Sequence, residues 1–68
     1  MNNPHEATAQ DFDKWSRQAK RMTKEELEFS IEDCIRAAEA MATHRAPNKE
    51  NFYRDQAATF SQEKRRRK

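Results

Sequence analysis

The sequence predicts an all-α chain of three helices, built on an antiparallel helical hairpin and working as a dimer. Three observations predict it. Apolar residues recur at three- and four-residue spacing through most of the chain, two Thr-x-x-acid capping boxes open such runs, and glycine is absent, leaving Pro4 and Pro47 as the natural breaks. Residues 1–7 are expected as a flexible N-terminus, residues 8–64 as one helical domain with helices at about 8–21, 24–43 and 49–65, and residues 65–68 as a basic tail.

The first helix starts from Thr8, with Asp11 three positions on as its reciprocal partner. Phe12, Trp15, Ala19 and Met22 then fall on one face at 3, 4, 3 spacing. Thr23 and Glu26 form the second capping box, and Met22 and Leu27 occupy the positions of a hydrophobic staple around it. The bend between these helices therefore has almost no length. Within the second helix Leu27, Ile31, Cys34, Ile35, Ala38, Met41 and Ala42 make one stripe. Pro47 disfavours helix at Ala46, so Asn48 is expected to cap a third helix with Phe52, Tyr53, Gln56, Ala57 and Phe60 as its inner side.

Phe29 does not belong to that second-helix stripe. At 100° per residue it points about 160–200° away from Leu27, Ile31 and Ala38. With Ala37 and Ala40 nearer that side, the helix carries a second narrow apolar track, to be covered by the first helix or by another subunit, or else left simply exposed.

At 68 residues, 34% hydrophobic and 38% charged, an isolated core is close to the limit of what sustains a fold, so self-association or a partner surface is a physical expectation. The net charge of +2 conceals segregation. Residues 23–42 hold six acids and two bases, a balance of −4, while residues 43–68 hold eight bases and three acids, a balance of +5. Antiparallel packing would bring Glu25, Glu26 and Glu28 near Lys64–Lys68 and neutralise part of the tail.

Chemistry finds little to hold. His5 and His44 stand far apart without companion ligands, Cys34 sits in the apolar stripe as an inert thiol, and no glycine is available for a phosphate loop or an EF-hand turn. The chain is read as non-enzymatic, with no catalytic, metal or cofactor residues and no cofactor. One cysteine and no apolar run of signal or membrane-spanning type make the cytoplasm the expected location. Trp15 among Lys14, Arg17, Lys20 and Arg21 has an interfacial composition, but its apolar face is too short for a membrane role.

Protein binding is the leading reading, with Phe12, Trp15, Phe29 and Tyr53 as interface residues, aromatic groups rimmed by arginines being the composition of binding hot spots. The alternative is nucleic-acid binding through Arg54, Lys64, Arg65, Arg66, Arg67 and Lys68. Against it, a recognition helix using Arg54 would bring Glu50 and Asp55 against phosphates, and the first bend is too short for a helix-turn-helix.

The tryptophan helix, the capped acidic helix, the proline break, the segment NFYRDQ and the arginine tail together span residues 12–67. In this they resemble small uncharacterised helical accessory proteins of bacteriophages and prophages. The resemblance implies a dimeric interaction module that binds and inhibits or redirects a host protein. It transfers no site residues.

Overall fold

The computed structural model describes residues 7–67, which form α1 (Ala9–Arg21), α2 (Lys24–Thr43) and α3 (Pro47–Arg67). The expected flexible N-terminus lies outside the described residues except for Ala7, which is half-buried and packs against the core. Lys68 also lies outside them.

Both capping boxes form. The Thr8 hydroxyl accepts from the Asp11 amide at 3.2 Å while the Thr8 amide donates to Asp11 Oδ2 at 3.0 Å. The Thr23 hydroxyl accepts from the Glu26 amide at 3.1 Å, and the Thr23 amide donates to Glu26 Oε1 at 2.8 Å. Each pair satisfies amides that the first turn of a helix leaves without an internal acceptor, and each places an acid at the positive end of the helix dipole.

The turn from α2 to α3 departs from the expectation of an Asn48 cap. Pro47 is itself the first helical residue, because its fixed φ suits that position and its missing N–H is one the helix does not use. The Ala46 carbonyl accepts from the Glu50 amide at 2.9 Å. Ahead of it, α2 closes with a Schellman motif: the Ala46 amide reaches the Met41 carbonyl at 2.8 Å, and the Arg45 amide reaches that of Ala42 at 3.1 Å. This geometry puts Arg45 at φ 57°, the left-handed region that glycine or asparagine normally fills. Arg45→Gly is therefore expected to raise stability by about 0.5–1 kcal/mol, read as a higher urea midpoint.

α3 is the central element. α2 packs along it most extensively and α1 packs on its other flank, giving a Cα outline of 36 × 25 × 14 Å. Its two working faces each follow 4, 3, 4 spacing. Tyr53, Ala57, Phe60 and Lys64 lie on one, where Lys64 Nζ reaches Glu28 of α2 at 3.2 Å. Phe52, Gln56, Thr59 and Glu63 lie on the other, where the Phe52 ring meets Trp15 of α1 edge-to-face at 5.1 Å.

Trp15, Ala19, Leu27, Cys34, Ala57 and Phe60 form the core, with Met22, Ile31 and Phe52 packed against it. Of the stripe expected to face inward on α2, Ile35 is 41% exposed and Ala42 is exposed. One neighbouring helix covers only the arc centred on Leu27, Cys34 and Ala38, and the flank of the stripe is left in water.

Candidate functional site

Local packing separates the four aromatic residues expected at an interface. Trp15 is 4% exposed, held edge-to-face between Phe12 at 5.4 Å and Phe52 at 5.1 Å. It is a core residue that joins α1 to α3 and is not available to a partner, which corrects its reading as a contact group. Phe12 covers one edge of that indole and keeps 40% of its surface in water. Tyr53 is half-buried, its ring edge-to-face with Phe52 at 5.7 Å.

Phe29 is 71% exposed. Of the neighbours considered for it, α1 does not cover it, because α1 turns its apolar face to α3. The ring instead stands between two surface grooves. One, shallow, runs past Met22, Glu25, Glu26 and Ser30. The other, of about 210 Å³, lies where the three helices meet, with Met22, Asp33, Ala37, Tyr53 and Phe60 in its walls. Phe29 and Tyr53 thus share one groove although they are on different helices and 24 positions apart.

The basic residues of α3 are largely engaged within the chain. Arg54 Nε donates to Glu50 at 2.8 Å, and Lys64 pairs with Glu28. Arg66 Nη2 donates to Glu63 Oε1 at 2.8 Å, and Arg67 Nε donates to Glu63 Oε2 at 2.9 Å. Arg67 Nη2 continues to the carbonyls of Ala19 and Lys20 at 2.8 and 3.3 Å, so one guanidinium closes the negative end of the α1 dipole from 47 and 48 positions away. The helix runs on through Arg66 and Arg67, two residues past the expected end at 65 and into the expected tail, and Arg65 projects into solvent.

Glu63 was not among the residues singled out from sequence, yet it is 8% exposed and organises this end of the molecule. Hydrogen bonds from Arg66 and then Arg67 hold its carboxyl below the ordinary glutamate range. Thr59, also buried, satisfies its hydroxyl by donating to the Asp55 carbonyl at 2.9 Å. The only sequence signal for either was the 4, 3, 4 spacing from Phe52, disguised by their polarity.

Burial pushes the Cys34 thiol up from its ordinary value, and the neighbouring Asp33 charge adds to this. Among the described residues no group of three His, Cys, Asp or Glu side chains is placed to hold a metal ion, and no helix is long and apolar enough to cross a membrane. No protein-family model, curated protein or solved structure matches the chain.

Proposed function

We propose that this chain is a non-enzymatic, cytoplasmic protein-binding module that works as a homodimer framed on an antiparallel α2–α3 hairpin. The observation that carries the reading is Phe29: a 71%-exposed phenylalanine beside a groove is a contact surface that folding leaves unspent. Capture of a host protein, with inhibition or redirection as the outcome, is the role in keeping with the accessory-protein resemblance.

The flank carrying Ile35 suits the second copy. Glu28, Ile31 and Ile35 share one stripe at 3, 4 spacing, with Lys24 four positions before Glu28 and Glu39 four positions after Ile35 at its two ends. Two identical surfaces meeting antiparallel there would set Lys24 of each against Glu39 of the other. Sedimentation velocity at micromolar concentration is expected to show a dimer, Ile35→Glu to give a folded monomer, and Phe29→Ala to leave the dimer intact. A wild-type chain that stays monomeric throughout would remove the dimer.

Nucleic-acid binding has less behind it, since Arg54, Lys64, Arg66 and Arg67 already face carboxylates and each would have to release its partner to neutralise a phosphate. Strong, steeply salt-dependent binding of a duplex or single strand, lost on Arg65→Glu, would reverse that ranking.

A further inference from the structure

We infer that the Phe29 groove takes a cationic amphipathic helix from another protein, an apolar side chain entering between α2 and α3 and lysines or arginines lying against its rim. This rests on the protein-binding reading above and adds the chemistry of the partner.

The rim is of one sign. Glu25 and Glu26 border the groove on one side of Phe29 and Asp33 borders the groove on the other, while no lysine or arginine lines either. Of the two bases of α2, one points away from Phe29 and the other, seven positions on from it, is already paired. Lys24 falls on the flank with Ile31 and Ile35, and Arg36 is held by Glu32 at 2.6 Å. Glu28 and Glu32 are the acids of α2 that have cationic partners among the described residues, Lys64 and Arg36. Among the described residues no ion pair engages Glu25, Glu26 or Asp33, and all three stand beside the exposed ring, although Glu26 also accepts the Thr23 amide.

The same charge excludes the competing occupants. A second copy placed symmetrically on this face would set each acid-rimmed groove against another, opposing six carboxylates around two phenylalanines. Nucleic acid and anionic membrane are repelled for the same reason. A partner with apolar and positive groups at alternating helical positions satisfies the ring, the groove and the rim together.

The test uses three labelled helical peptides with one leucine-phenylalanine stripe and a polar face of lysine, glutamine or glutamate, titrated against the full chain by fluorescence anisotropy. The lysine peptide is expected to bind about tenfold or more tightly than the glutamine peptide, to weaken as salt rises, and to lose about tenfold on Phe29→Ala or Asp33→Lys. The glutamate peptide is expected not to bind. Phe29 is exposed, so Phe29→Ala folds, and circular dichroism verifies it. If lysine and glutamine peptides bind equally and both depend on Phe29, the cationic class is wrong while the protein-binding surface stands. If the lysine peptide binds wild type and Phe29→Ala alike, the attraction is general charge and the groove is not its site. If no peptide binds in a Phe29-dependent way, both the inference and the reading beneath it fail.

Discussion

Phe60→Ala is expected to cost about 3–5 kcal/mol and to leave much of the population unfolded at room temperature. Phe60 is 2% exposed and shares its cluster with Trp15 of α1 and with Leu27 and Cys34 of α2, so the truncation opens a cavity where all three helices meet. A chain of 68 residues has roughly 3–10 kcal/mol of stability in total. Urea titration followed by far-ultraviolet circular dichroism measures the loss, with Phe29→Ala as its control. The same chemical change at a 71%-exposed position is expected to move stability by no more than about 0.5 kcal/mol. Equal costs at the two positions would mean that the packing order of the helices is different.

Arg67→Ala carries the second large effect, and it falls on the attachment of α1. Its guanidinium binds Glu63 and reaches the carbonyls of Ala19 and Lys20. Because about a third of the side chain is in water, the expected cost is about 1–2 kcal/mol, toward the lower part of the range for charge-assisted bonds. Lysine should not restore it, since a single ammonium does not reproduce the planar fork that serves carboxylate and carbonyl together. Hydrogen exchange should accelerate first at the C-terminal turn of α1.

Acid should act on the same cluster. Glu63 is depressed in the folded chain, so its contribution is fully present above the ordinary glutamate value of about 4.3 and is lost as pH falls through the lower folded value. Glu63→Gln should flatten that part of the pH-stability curve. An unchanged curve would show that the cluster is not what titrates.

These effects also mark which features were legible in the chain and which were not. The starts of α1 and α2 depend on contacts three residues apart, Thr8 with Asp11 and Thr23 with Glu26, and such contacts are written locally. The start of α3 pitted two local rules against each other, Asn48 as a cap and Pro47 at the first helical position. The Schellman turn that settles it rests on a left-handed Arg45, with no glycine or asparagine to announce it.

Glu63 and Thr59 were hidden for a different reason. A helix with neighbours on two sides needs two inward faces, and on α3 one of them is largely polar, satisfied by Arg66, Arg67 and its own backbone. Phe29 was legible as a residue on the wrong side of α2 from angle alone. Whether α1 would cover it is a tertiary matter, decided by Trp15 finding Phe52.

The central position of α3 has a consequence for how the polypeptide is made. Synthesis runs from the N-terminus, so the ribosome releases both outer helices before the element that each of them needs. A nascent chain ending at Thr43 carries Trp15 and Leu27 with no Phe60 to receive them, and Ala19 and Lys20 with no Arg67 to cap them. Folding of both outer helices is thereby deferred until the last two turns of α3, which carry Phe60 and Arg67, are out of the exit tunnel.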